Sequence, residues 1–95
     1  MKHQKIIFSG HALVQMFKRE IQVEDIEYVL ETGKRIKEYP EDKPYPSFFM
    51  LGFINKTPLH VVASTDNLGN CFIITAYEPD VKLWDDNFTL KKETL

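Results

Sequence analysis

Residues 58–77 read PLHVVASTDNLGNCFIITAY, two β-branched and aromatic runs separated by a six-residue polar loop, Thr65 to Asn70. This is the sequence form of a β-hairpin. Asp66, Asn67 and Asn70 tolerate left-handed backbone, and Gly69 adopts it without steric cost. Pairing Thr65 with Asn70 predicts Ser64 opposite Cys71, Val62 opposite Ile73 and His60 opposite Thr75. Side chains alternate along a strand, so Leu59, Val61 and Ala63 are expected on one face with Phe72, Ile74 and Ala76. His60, Val62, Thr75 and Tyr77 fall on the other. A His, a Thr and a Tyr on one sheet face are the most concentrated polar chemistry in the chain.

The segments before this hairpin supply its cover. Ser9 is placed to cap a helix over Gly10 to Glu20. At 100° per residue Leu13, Val14, Phe17 and Ile21 share an apolar sector with Met16 on its flank, which predicts the core face. His11, Gln15, Lys18 and Gln22 form the opposite stripe, with Arg19 on its shoulder. A second helix is expected over Val23 to Thr32, with Ile26, Val29 and Leu30 inward. Glu24 and Asp25 suit its positive end, and Gly33 is expected to stop it in left-handed conformation. The two helices should form a compact hairpin. Lys34 to Tyr39 reads as an edge strand whose Lys34, Arg35 and Lys37 either deter edge pairing or face a phosphate. PEDKPYP (40–46) is a loop, and the unbroken apolar run 47–54 suits a central strand, Gly52 permitting a bulge or a close backbone approach. Residues 3–8 form a short strand or lead into the first helix. Pro79 ends the last strand, Trp84 and Phe88 anchor a tail, and the chain from Lys91 on is expected to be loose. The predicted fold is α+β: an N-terminal helix hairpin on a four-stranded antiparallel sheet, one domain over 1–95 with its core at about 9–84 and a tail at 85–95.

Composition sets limits on function. With 43% hydrophobic and 27% charged residues the chain is ordinary globular material, large enough for one modest core. Its net charge of -2 leaves phosphate binding to a local patch. The single cysteine, Cys71, excludes an intrachain disulfide and a cysteine-rich zinc site, and reads as a small strand residue. His3, His11 and His60 have no metal-ligand spacing, and no phosphate loop, nucleophile elbow or dinucleotide fingerprint is present, so no metal or cofactor is expected. No apolar stretch approaches the ~20 residues of a membrane span. The apolar part of the N-terminal segment is too short for a signal peptide, and a cytoplasmic protein is expected.

What remains is acid–base chemistry. Imidazole is the side chain suited to proton transfer near neutral pH, which nominates His11 as base or acid. Arg19 is a candidate clamp for a phosphate through parallel hydrogen bonds, and His60 with Thr75 for positioning a second oxygen. Cleavage of RNA by its own 2′-hydroxyl needs only a base, an acid and a cation for the charge on phosphorus. The plain structural readings stand beside these: a packing histidine in a first helical turn, a satisfied His–Thr pair in a sheet, a solvated helix face.

SGHALVQMFKREI (9–21), DIEYVLETG (25–33), IKEYPEDKPYP (36–46), PLHVV (58–62) and IITAYEPD (73–80) together resemble the bacterial domain-of-unknown-function family numbered four-two-five-eight. The resemblance runs from Ser9 to about Trp84, and the S-x-H-A start and T-x-Y-x-P-D end carry most of it. That family is thought to be similar to the RelE, barnase and colicin-type ribonuclease superfamily, and its members often lie beside small helix-turn-helix or zinc-finger antitoxins. The resemblance implies a RelE-like or barnase-like layer architecture and the toxin of a toxin–antitoxin pair, a metal-independent endoribonuclease. An antitoxin protein and RNA or a ribosome are the partners it implies. His11, Arg19, His60, Thr75 and Tyr77 match the family's recurring polar positions, and Lys18, Lys34 and Arg35 are the expected substrate-binding cations. The rival expectation is a non-catalytic interaction module whose exposed sheet face or edge binds a protein.

Overall fold

The computed structural model describes residues 5–90. His3 and the stretch from Lys91 on, one expected in a leading strand and the other in a loose tail, lie outside the described residues. The elements run β1 (Ile6–Phe8), α1 (Gly10–Lys18), α2 (Val23–Thr32), β2 (Lys34–Tyr39), β3 (Ser47–Ile54), β4 (Thr57–Thr65) and β5 (Cys71–Tyr77). The strands form one five-stranded sheet in the order β1-β5-β4-β3-β2. The α+β class is as predicted, but the sheet is mixed. β1 joins it parallel to β5, pairing Ile6 with Cys71 and Phe8 with Ile73. The other three pairings are antiparallel, and β2 is the edge expected from its cations.

The two helices do not form the compact hairpin expected; α1 lies on β5, and α2 lies on β3 and β4. Ser9 caps α1 as predicted, its Oγ accepting from Ala12 N at 3.0 Å. The helix ends earlier than Glu20, which itself has φ 57°. Its inward face differs from the sequence reading. Ala12 and Met16 are buried with Ile21 packed beside them, whereas Leu13 (45%), Val14 (53%) and Phe17 (83%) are exposed. The helix is turned so that Ala12, the smallest apolar residue, brings its backbone close to β5, and the bulkier sector faces out. On α2 the inward Ile26, Val29 and Leu30 are as expected. Gly33 ends it, but in extended backbone with φ -75° rather than left-handed. The glycine is required for space, since a Cβ there would lie 2.6 Å from the carbonyl oxygens of both Leu51 and Val29.

The hairpin register also differs. Thr65 pairs with Cys71 and Ala63 with Ile73; Ile74 is then a bulge, after which Val62 pairs with Thr75 and His60 with Tyr77. The loop moves the pairing by one residue because Asp66 organises it. Its Oδ1 accepts from Leu68 N and Asn70 N, its Oδ2 from Asn70 Nδ2, and Gly69 takes φ 86°. A slip of one residue would turn β5 inside out; the bulge restores the alternation beyond it. The core face therefore carries Cys71, Ile73 and Ala76 with Leu59, Val61 and Ala63, while Phe72 and Ile74 leave it.

The face opposite the helices was expected to expose His60, Thr75 and Tyr77 unless the first helix turned its polar stripe toward the sheet edge. Instead residues 80–90 fold across it, and Trp84 and His60 are buried there with Leu51 and Val62. Asp85 shapes this segment, its Oδ1 accepting from Thr89 N at 3.0 Å. The architecture is thus helices, sheet, and an irregular C-terminal cover.

Candidate functional site

The free edge of β5 positions the strongest polar group. β1 pairs only with Cys71–Ile73, so from Ile74 onward that side of β5 carries no strand, and α1 lies against it. Gln15 and Arg19, one turn apart on α1, face the gap. Arg19 Nη1 donates to Ala76 O at 2.8 Å and Thr75 Oγ1 at 3.2 Å, with Gln15 Oε1 at 3.5 Å; Thr75 Oγ1 donates to Gln15 Oε1 at 2.7 Å. The guanidinium thus satisfies a strand carbonyl that no neighbouring strand reaches. Among the described residues only Nη1 is engaged. Nη2 and Nε carry no hydrogen bond, and no carboxylate lies within ion-pair distance. These two donors form the fork that binds carboxylate or phosphate in parallel.

Beside Arg19 a cleft of about 460 Å³ opens between the start of α2 and the ends of β4 and β5. Tyr77 and Pro58 line it with Arg19, and Glu20, Asp25 and Glu78 bring three carboxylates against the one cation. Asp25 is partly occupied, accepting from Gln22 N at 3.0 Å as the helix begins. Burial pushes the Tyr77 phenol above its usual pKa, nearby Tyr39 adds to this, and the Arg19 charge opposes it. The phenol is therefore neutral where its ring lines the cleft.

His60 does not join this cleft. It is fully buried on the face under the C-terminal cover, and its partner is Tyr77 rather than the predicted Thr75. Its Nε2 lies 2.7 Å from Phe88 O, an acceptor only, so Nε2 carries the proton and Nδ1 accepts from Tyr77 Oη at 3.3 Å. Its ring meets Trp84 edge to face with centroids 4.3 Å apart. Burial lowers its pKa below the usual 6.5, outweighing the Phe88 carbonyl. His60 is a neutral structural histidine that holds Tyr77 from behind.

Of the remaining expected residues, Thr75 meets Arg19. His11 is exposed on the same stripe of α1 as Gln15, one turn away, and has no hydrogen bond among the described residues. Lys18 faces a different groove beside Phe17. Lys34 and Arg35 lie on the far edge strand, where Arg35 pairs with Glu38 at 3.4 Å and stacks on Phe48. They are not brought to Arg19. Cys71 behaves as the small strand residue expected, its thiol pushed up to about 11 by burial. Gln15 was not singled out as a site residue, although its i, i+4 spacing from Arg19 on the polar stripe was legible. Among the described residues no group of three or more His, Cys, Asp or Glu side chains is placed to hold a metal, and no helix is long and apolar enough to cross a membrane.

The model of the family described as Domain of unknown function (DUF4258) matches residues 8–78. The chain belongs to this family. The match begins at Phe8, just before the Ser9 cap, and ends at Glu78 in the cleft wall, so it takes in both helices, β2 to β5 and every side chain around Arg19. The C-terminal cover lies beyond the DUF4258 match. No curated protein and no solved structure matches the chain.

Proposed function

We propose that this DUF4258 domain is a toxin-like, metal-independent endoribonuclease whose reacting phosphate is held by Arg19. The observation that carries the reading is the unengaged Nη2–Nε fork of an arginine that is fixed in place through Nη1 in the wall of a cleft. Nη1 touches Gln15, and His11 stands one helical turn, ~6 Å along the axis, beyond it. In this reading His11 takes the proton from a ribose 2′-hydroxyl, and the 2′-oxygen attacks the adjacent phosphorus. The bond to the 5′-oxygen breaks, that oxygen takes a proton from water and leaves as a 5′-hydroxyl, and His11 returns its own proton to solvent. A 2′,3′-cyclic phosphate remains, and the charge on phosphorus is met during the step by Arg19. Thr75 and Gln15 hold Arg19, and His60 orients Tyr77 without touching substrate. The three carboxylates favour contact at a single phosphate over a groove that follows a backbone. The likeness to RelE-type and barnase-type ribonucleases, an antitoxin partner, and action on free or ribosome-held RNA belong to this same proposal.

The test is cleavage of single-stranded RNA by the purified domain in the presence of a chelator, with and without ribosomes. Cyclic-phosphate ends and a loss of about a hundredfold or more in Arg19→Ala are expected, the size of removing one charge-stabilising donor group. Intact RNA under both conditions overturns the proposal.

A second reading has its own observation. Leu13, Val14 and Phe17 leave an apolar strip on α1, the mark of a protein-binding surface in a non-catalytic interaction module. Under it, growth arrest on expression, if any, follows Phe17→Ser and ignores Arg19→Ala.

A further inference from the structure

The Arg19 cleft does not account for a second pocket, of about 520 Å³, on the opposite face of the sheet. The bulge at Ile36 in β2 sets Lys37 opposite Phe49 and Tyr39 opposite Ser47, so that Lys37, Tyr39 and Phe49 share that face. Tyr39 and Phe49 meet at 5.7 Å between ring centroids. With Tyr77 and Trp84 they form aromatic walls, and Thr89 of the C-terminal cover adds a hydroxyl. Among the described residues Lys37 is the one charged side chain in the lining, its ammonium 5.3 Å from the Tyr39 ring centre, and no carboxylate of these residues lines the pocket. Its electrostatics are therefore opposite to those of the Arg19 cleft.

We propose that this pocket seats an unpaired nucleobase of the RNA strand whose phosphate Arg19 holds. The inference rests on the ribonuclease reading and deepens it by naming the second contact with substrate. Aromatic walls with one cation suit a flat ring that carries a negative group nearby, and base–aromatic stacking is the sequence-tolerant way proteins hold single strands. Tyr77 joins the two sites, since it lines both cavities and its hydroxyl lies within the electrostatic reach of both Arg19 and Tyr39. The two cavities thereby share Tyr77 as a wall residue. A duplex cannot offer a base in this way, so the substrate is single-stranded.

Trp84 is the sole tryptophan of the chain and stands in the pocket wall, which makes its fluorescence a direct reporter. Titration of the full chain with adenosine 3′-monophosphate is expected to change that fluorescence saturably. Tyr39→Ala should weaken the affinity by about tenfold or more, the scale of one lost stacking partner. Tyr39→Phe, which keeps the ring, should retain it, and its melting curve guards against misfolding. Lys37→Ala should weaken binding of the nucleotide more than of adenosine. No saturable change at millimolar nucleotide overturns the site, as does equal affinity in Tyr39→Ala or the same signal from inorganic phosphate at matched ionic strength. The two readings fail separately. Nucleotide binding without RNA cleavage sinks the nuclease and keeps the pocket, whereas cleavage without nucleotide binding sinks the pocket alone.

Discussion

A methyl group added at Gly52 would stand 2.7 Å from Val29 Cγ2, and one added at Gly33 would stand 2.6 Å from two carbonyl oxygens. Both glycines hold α2 close to β3, but the obstacles differ in kind. A side chain can turn or be trimmed, whereas the carbonyls belong to the helix end and the central strand. Gly52→Ala is expected to cost about 1–3 kcal/mol, as overpacking does, and Val29→Ala in the same chain to recover part of it. Gly33→Ala should cost more, with no recovery from Val29→Ala. Urea denaturation of the four variants measures this, and equal recovery at both sites would contradict the geometry. The close approach at Gly52 was legible because a glycine interrupts an apolar strand run. The reason for Gly33 was not, since a glycine after a helix reads as a left-handed stop until the neighbouring strand is seen. Arg19 was legible as a cation beside the polar stripe of α1; that Nη1 alone is spent on Ala76 and Thr75 depends on where β1 stops.

At the scale of elements the sequence placed both helices and β2 to β5, but it missed the parallel pairing of β1 and expected a helix hairpin, and its other errors were of rotation and register. On α1 two apolar sectors adjoin, and periodicity favours the bulkier one. The structure buries Ala12 and Met16 instead, because a helix laid along a strand edge needs a small contact residue to approach closely. Met16→Ala is expected to lower stability by about 2–4 kcal/mol, since it empties a buried site. Phe17→Ser should stay within about 0.5 kcal/mol, as surface changes do. Denaturant midpoints for the two variants decide between the sectors, and the opposite ranking would restore the one read from periodicity. The β5 bulge was invisible for a related reason. Cys71, Phe72, Ile73 and Ile74 are all apolar, so no polar residue marked the point where alternation breaks. Only the open end of the hairpin, where Leu59 to Val61 run beside Ala76 and Tyr77, carried enough pattern to fix its faces.

The whole molecule differs from the sequence reading chiefly in its third layer. Trp84 and Phe88 were read as anchors, but nothing local shows that Phe88 returns 28 residues along the chain to accept from His60. The protein has an acid response with two windows. His60 is held neutral, with its folded pKa below the usual 6.5, so near neutral pH the unfolded chain binds the extra proton more readily. Stability is therefore full above about pH 6.5 and declines as pH falls through that value toward the folded pKa. Asp66 and Asp85 have pKa values below the usual 3.8, set by hydrogen bonds that overcome their desolvation, so their contribution is present above that value and lost as pH falls further. The windows are joined in space, because Asp85 organises the segment whose Phe88 carbonyl receives the His60 proton. In urea denaturation between pH 8 and pH 5, the wild-type chain should lose stability on the acid side. His60→Gln should start lower, having lost the ring packed on Trp84, yet hold a flat profile until the aspartates titrate. A wild-type profile that is equally flat would mean that His60 gains its proton without disturbing the cover, and the buried neutral pair with Tyr77 would have to be abandoned. A slope that survives in His60→Gln would assign the window to another group.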